Sequence, residues 1–429
     1  MARDTILILS QVYVPDPAAV GQHLADLAAA LVERGHDVRV IASGRGYEDP
    51  SKVYPAREVR DGVRIRRLPL SSFGKNSVPV RLLAGAIFTA QAALHGLFTR
   101  RLGGIIVSTS PPMAPLGAVF LSILRRAPIF YWLMDLNPDQ MIAVGKLKPG
   151  SLPVRMFDWM NRLILRRAKS IVVMDRFMAD RVRQKLELGD KLQHMPPWPH
   201  ENVLETVPHE TNPFRAKQGW SDKFVVMYSG NHGFSTPLTT VLQAAVRLRD
   251  RGDLLFAFIG GGVGKKEVEE TIAREQLANV VSLPYQPLAE IKYSLSAADV
   301  HLVSVGDEFV GIVHPCKVYG AMALGRPILL LGPSPSHVSD LIAEHRIGWH
   351  IAHGDVDAAV ATLEQIAATP PEELAAMGAR AKALADTQFS KAALCGRMEE
   401  AVEAAFGLSP AALPASAPPP QSSPEARPS

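Results

Sequence analysis

Short apolar runs alternate with longer segments in which apolar residues recur every three or four positions. TILILS (residues 5–10) predicts a strand, residues 21–34 an amphipathic helix, and GHDVRVIA (35–42) a turn and a second strand. IIVST (105–109), IFYWLMD (129–135) and SIVVMD (170–175) repeat the strand theme with helical material between them. The pattern falters over residues 192–219, around MPPWPHEN, and then restarts. KFVVMYSG, LLFAFIGGG, VVSLPY, DVHLVSV and PILLLG are the second set of strands, separated by helices over 238–249, 265–276, 291–298 and the start of HPCKVYGAMALG. Strands alternating with helices predict parallel, doubly wound sheets.

The expected fold is therefore α/β, with two Rossmann-like parallel-sheet domains facing a cleft. An N-terminal domain is expected over 1–195, a linker over 196–219 and a C-terminal domain over 220–390. A closing helix follows over 391–408, and residues 409–429 form a Pro/Ala/Ser tail too poor in large apolar residues to order itself. The length of 429 residues suits two such domains. Residues 82–98 are apolar but broken by Thr89, Gln91 and His95, which favours a buried or membrane-grazing helix over a spanning one.

Composition excludes more than it proposes. A net charge of +4 is too weak to point to nucleic acid. Cys316 and Cys395 are the only cysteines, far apart in sequence, which suits a reducing compartment and no zinc site. No secretory leader is legible ahead of TILILS, so a cytoplasmic location is expected. VRMFDWMNRLILRRAKS (154–170) is basic and amphipathic. Phe157, Met160, Leu163 and Ile164 share one face, and Arg155, Arg162, Arg166 and Arg167 supply charge, so an anionic membrane surface is a candidate partner beside the ordinary reading of a solvated domain helix.

The chemistry-bearing positions lie at strand ends. In HPCKVYGAMALGRP (314–327), Pro315 suits a first helical position and Gly325 and Pro327 a stop. The helix start attracts an anion, which would also explain Lys317 in a turn whose dipole disfavours a cation; a solvent-facing lysine is equally open. MYSGNHGFS supplies Gly230 and Gly233 after a strand, and Gly260–Gly262 form a second glycine-rich turn near Lys265 and Lys266. Neither has the spacing of a dinucleotide or P-loop motif. In the N-terminal half, Gly21 stands where the first helix begins. Asp135, in MDLNPDQ, could orient an acceptor hydroxyl or act as a base, or simply form a turn. Asp307 and Glu308 could meet sugar hydroxyls or stay solvated. Cys316 reads better as a packing residue than as a nucleophile.

The stretches VYVPDPAAVGQHLADLAAALVERGHDVRVI, MDLNPD, MYSGNHG and VHPCKVYGAMALGRPIL, in that order, resemble the family 4 glycosyltransferases of the GT-B fold. Within them the chain is similar to the bacterial polysaccharide and O-antigen, WbuB-like, branch. The resemblance implies a nucleotide-diphosphate sugar bound mainly by the C-terminal domain. The sugar moves, usually with retention, to a glycan or polyprenyl-linked acceptor on the N-terminal domain, without an essential metal or other cofactor, at the cytoplasmic side of the inner membrane. It implies donor binding by Gly21, Gly230, Asn231, Gly261, Glu308, His314, Pro315, Cys316, Lys317, Tyr319 and Gly320, with Lys317 and Asp135 as catalytic positions. The chain departs from the family at the two glutamates that many members carry eight residues apart. Those positions are Ile312 and Gly320 here, leaving ribose recognition unexplained. Asn231 and Thr236 stand where many relatives carry arginine and lysine. A nucleotide-sugar 2-epimerase and a catalytically idle binding subunit are the alternatives on this fold.

Overall fold

The computed structural model describes residues 4–47, 49–72, 78–199 and 205–409. The first sheet contains β1 (Thr5–Leu9), β2 (Asp37–Ser43), β3 (Arg57–Arg60), β4 (Val63–Leu68), β5 (Leu102–Ser108), β6 (Ile129–Leu133), β7 (Ser170–Val173) and β8 (Leu192–His194). Their order is β3-β4-β2-β1-β5-β6-β7-β8. Every pairing is parallel except β3 with β4, an edge hairpin that the sequence reading missed. Asp61 and Gly62 make its turn with φ of 49° and 74°, the left-handed geometry that an Asp-Gly pair supplies.

The second sheet contains β9 (Phe224–Asn231), β10 (Leu254–Gly261), β11 (Val280–Leu283), β12 (Val300–Ser304), β13 (Ile328–Leu331) and β14 (Gly348–Ile351), in the order β11-β10-β9-β12-β13-β14 and parallel throughout. Strands β1, β6, β7, β12 and β13 are buried along their whole length, as continuous Ile/Leu/Val runs covered by helices on both faces must be. The strand order reverses between β1 and β5 and between β9 and β12, the places where open parallel sheets take ligands.

The helix Lys391–Phe406 does not stay with the second domain. It returns to the first, where Glu403 binds Arg34 at 2.6 Å and His36 at 2.7 Å, and Lys391 binds Asp26 at 2.6 Å. Between residues 192 and 219, Trp198 is buried and donates to Asp26 at 2.8 Å, and Asn212 caps a short helix, Pro213–Gln218. Of the proposed linker, residues 200–204 lie outside the described residues, as does the expected tail from 410 onward.

The apolar stretch at 82–98 forms the helix Val78–Leu97. Its window Val80–Leu97, with a mean hydropathy of 1.3, passes the length and composition test for a membrane span. It packs instead along the helix Ala114–Arg125, with Gly117 against Thr89 and Ala93, and buries Phe88 and Ala92. The helix Leu152–Arg167 lies on the other side of Ala114–Arg125, tied by Arg167 donating to Ser122 Oγ at 3.0 Å. In this helix Met160 and Ile164 are buried and Phe157 and Leu163 half-buried. The face expected to meet a membrane is therefore the packed one. A second apolar ridge, Leu152, Met156 and Trp159, is exposed.

Candidate active site

Two cavities lie at the carboxyl ends of the two sheets. The first, of about 340 Å³, is walled by Ser229, Gly230, Ile259, Tyr285, Gln286, Ser294, Cys316, Lys317 and Gly320 from the C-terminal domain. Ala19, His23 and Trp198 close it from the N-terminal side. The second, of about 450 Å³, belongs to the N-terminal domain and is lined by Gln11, Tyr47, Arg81, Thr109, Asp135, Met141 and Phe157 among others.

Glycine geometry brings the first cavity's parts together. Gly230 and Gly260 pair across β9 and β10 with φ of 137° and 132°. A side chain on Gly260 would run into the Gly230 carbonyl, and one on Gly230 would sit 2.8 Å from the Lys317 ammonium. The lysine thus lies against a bare backbone, 5.2 Å above the centre of the Tyr228 ring. Among the described residues, it meets no carboxylate and makes no hydrogen bond. Burial lowers its pKa, and the half-buried cation faces the cavity without a counter-charge among the described residues.

The helix that carries it starts later than the sequence suggested. Pro315 is not its first residue: Cys316 is the N-cap and the helix runs Lys317–Ala323. The amides of Cys316, Val318 and Tyr319 are engaged by the carbonyls of His314, Pro315 and Cys316 in a tight turn. Lys317 N–H is the turn amide left over among the described residues, so the side chain rather than a fan of amides carries the positive charge. Cys316 opens to the cleft but is walled by protein. Burial pushes its thiol up to about 11 against the pull of Lys317, which does not suit a nucleophile.

Several predicted positions serve other ends. Gly21 is absent from the cavity walls; it lets the helix Ala19–Glu33 press against the Tyr13 backbone, 3.0 Å from where a Cβ would stand. That packing aims Ala19 and His23 at the cavity instead. Asn231 is exposed, its side-chain amide held between Gly233 and Gly262. Gly261 lies under the Tyr285 ring. Glu308 and Asp307 are exposed on a short turn and line neither cavity. His314 is not donor-facing: its imidazole is buried against Asp175 of the first domain. Tyr319 touches the cavity wall, but its hydroxyl is bonded to His314 and His337. Lys265 donates to the carbonyls of Gly260 and Leu283, at 2.8 and 2.7 Å, and staples two strand ends. Lys266 is exposed beside Glu270.

Asp135 stands at the end of β6 on the wall of the second cavity, and burial raises its carboxyl pKa. Its charge contributes to raising the Cys316 thiol, so it stands near the edge of the first cavity as well. Arg81, which the sequence reading passed over, lines the same cavity and has no carboxylate partner among the described residues. His23, Trp198, Tyr285 and Gln286 were also missed. His23 lies in the stretch read only for Gly21, the others in no glycine-rich or charged motif, and only the fold brings them together.

Residues 18–198 match the glycosyl transferase 4-like domain and residues 210–384 the glycosyl transferases group 1 domain. The chain belongs to the family 4 glycosyltransferases. The family assignment makes it a transferase on the GT-B fold, and relatives named for polysaccharide synthesis agree. It is 29% identical to WbjE of Pseudomonas aeruginosa, named as a probable glycosyltransferase, over 62% of this chain and 66%, just under two thirds, of that relative. It is 25% identical to WcaI of Escherichia coli K12, named for colanic acid biosynthesis glycosyl transfer, over 75% of this chain and 81% of WcaI. In fold the glycosyltransferase resembles Anabaena HepE, solved with UDP and glucose (TM-score 0.68, 15% identity, 93% of this chain and 99% of HepE). It also resembles the sucrose-phosphate synthase of Thermosynechococcus elongatus (TM-score 0.73, 15% identity, 94% and 100%).

Proposed function

We propose that this glycosyltransferase moves a sugar, with retention, from a nucleoside diphosphate seated in the first cavity to an acceptor held in the second. The observation that carries the reading is the unpartnered Lys317 ammonium against the bare backbone of Gly230. A diphosphate would supply the missing counter-charge and restore the lysine's affinity for its proton. As the glycosidic bond breaks, charge accumulates on the departing phosphate, and a cation fixed beforehand stabilises it without reorganisation. Gly230, the Lys317 amide and Gly320 leave room for the donor's backbone-facing side. HepE, on the same fold, was solved with UDP and glucose, which supports a nucleotide sugar as donor.

Retention follows when the acceptor hydroxyl attacks on the face from which the phosphate leaves and a phosphate oxygen takes its proton. No covalent enzyme intermediate is needed. Asp135 orients the acceptor hydroxyl. Lys317 carries the charge that some transferases assign to a metal, so chelation with EDTA is expected to leave the rate unchanged.

The acceptor is lipid-linked. The second cavity opens between the helices Val78–Leu97 and Leu152–Arg167, through Arg81, Leu82, Pro153 and Phe157. The same two helices, with Ala114–Arg125 between them, expose Leu83, Leu94, Phe120, Ile123, Leu124, Leu152, Met156 and Trp159. Arg155, Arg162 and Arg166 are exposed along that ridge. Apolar side chains ringed by arginine fit the cytoplasmic face of an acidic membrane. Arg81 is placed for a phosphate on the acceptor.

The test is incubation with UDP-, GDP- and dTDP-sugars and a short polyprenyl diphosphate-linked sugar, with mass detection of the product. A product gaining one sugar, with the anomeric configuration kept, is the expected result. Nucleotide binding without product from any donor would favour an idle subunit.

A further inference from the structure

At the end of β7, Asp175 does two jobs with its two oxygens. Oδ1 accepts from the Met178 amide at 2.8 Å and caps the helix Arg176–Lys185. Oδ2 reaches out of the N-terminal domain and accepts from Nδ1 of His314 at 2.7 Å. Both side chains are almost dry, 3% and 2% exposed. Beyond His314 the row continues. Its Nε2 is 2.7 Å from the Tyr319 hydroxyl, which is 2.8 Å from Nε2 of His337 at the start of the helix His337–His345. The hydroxyl can donate to one ring and accept from the other, so each group from Asp175 to Nε2 of His337 has its partner.

The same helix of the first domain grips the loop ahead of His314. Arg181 donates to the carbonyls of Val310 at 2.5 Å and Glu308 at 3.3 Å. Gly311, with φ of 70°, presses on the Phe177 carbonyl so closely that a Cβ would stand 2.5 Å from it. Leu136, next to Asp135, donates its amide to the Ile312 carbonyl at 3.4 Å. Two residues past His314 come Cys316 and then Lys317.

We propose that Asp175 is a positioning residue for donor binding: through His314, Tyr319 and His337 it fixes the segment that presents Lys317, so the diphosphate seat is complete only when both domains are docked. This rests on the reading of the first cavity as a nucleoside diphosphate site. Neither Asp175 nor His314 lines either cavity, so their effect on a nucleotide is transmitted, not direct. A buried carboxylate bridging two domains also explains why acidic and imidazole groups were chosen here over apolar packing. The bond has a direction and a length, and it registers the loop as a hydrophobic contact would not.

The experiment is calorimetric titration of the full chain with UDP, GDP and dTDP, using whichever binds, alongside thermal melting. Asp175→Asn keeps the helix cap and removes the charge; His314→Gln keeps a donor in nearly the same place. Each is expected to melt within a few degrees of the parent and to bind the nucleotide about tenfold more weakly. Tyr319→Phe, which keeps the ring and the Asp175–His314 bond, is expected to lose about threefold. In a Lys317→Ala background, Asp175→Asn is expected to add nothing, because both act on one contact. Full nucleotide affinity in Asp175→Asn and His314→Gln, with the parent binding normally, overturns the proposal. So does a loss that simply adds to that of Lys317→Ala, which would mean a general structural role. Should Asp175→Asn fail to fold, the Tyr319→Phe titration decides, and unchanged affinity there counts against the row. A parent that binds none of the three nucleotides removes the donor-site reading, and this inference with it.

Discussion

The two cavities are both gathered from many segments, but they carry charge in opposite ways. In the first, proposed for the donor, the walls come from both domains, but the charge is set by two short motifs: the glycine end of β9 and one seven-residue helix bring Gly230 and Lys317 together. The second, proposed for the acceptor, is assembled from Gln11, Tyr47, Arg81, Thr109, Asp135 and Phe157, spread over six segments of the first domain. The first is an electrostatic seat with one unanswered charge. The second is a roomier, largely apolar hollow with one buried carboxylate and one arginine. A bound diphosphate is chemically constant across donors, so a few fixed groups suffice. Acceptors differ in shape, and a surface made of many independent loops can be changed piece by piece.

The sharpest way to separate the two sides is Lys317→Ala. Transfer is expected to fall by about 10²–10³-fold, the usual cost of removing one preorganised group from a developing negative charge. Nucleotide affinity should drop as well, with melting unchanged. Gly230→Ala should come close to it, since the new methyl would occupy the lysine's place at a φ of 137°; steady-state kinetics would show the loss, and full activity would refute the seat. On the other side, Asp135→Asn is expected to lower kcat by about 10²-fold while the nucleotide titration stays at the parent value. A parallel loss of nucleotide affinity would mean that the cavities are not functionally separate.

A smaller effect concerns the membrane ridge. Replacing Arg155, Arg162 and Arg166 by glutamine should weaken cosedimentation with phosphatidylglycerol vesicles by about 1 kcal/mol per residue, roughly fivefold each at low salt. Activity on a short-chain, detergent-soluble acceptor should be untouched. The smallest effect is on pH. Burial alone would raise the Asp175 carboxyl, but the hydrogen bond and charge of His314 outweigh it and hold it below its ordinary value of 3.8. A depressed carboxyl stabilises the folded state above its unfolded pKa, and that contribution fades as pH falls through the lower, folded one. The parent should therefore lose melting temperature in acid below about pH 4 more steeply than Asp175→Asn.

The same contrast decided what the sequence could reveal. Strand after strand was legible, because fully buried parallel strands are written as unbroken apolar runs. The helix Lys391–Phe406 was likewise read to within two residues of its observed end, though not the domain it packs on. HPCKVYGAMALGRP could be recognised because its groups act within a few residues of one another. His314 was misread for the same reason, since its neighbours in sequence face the first cavity while its own ring faces Asp175, 139 positions away. The lysines at 265 and 266 follow a glycine-rich turn, but strand-end carbonyls and Glu270 claim them. In Leu152–Arg167, apolar residues lie on two faces, and periodicity alone does not say which one the neighbouring helices cover. The edge hairpin was hidden in a run dense with arginine, although its Asp-Gly turn was in plain view.

The returning helix Lys391–Phe406 gives the chain an unusual dependence on its own far end. Its Phe406 ring lies on Gly104 of β5, filling the space that any larger residue there would claim, while Glu403 and Lys391 hold the first helix and its flank. A fragment stopped near residue 195 would therefore leave a bare groove across its own sheet, and during synthesis the first half cannot be finished until almost the last described residues have emerged. The two halves are thus held by a pair of connections instead of one, the segment between them and the helix that comes back.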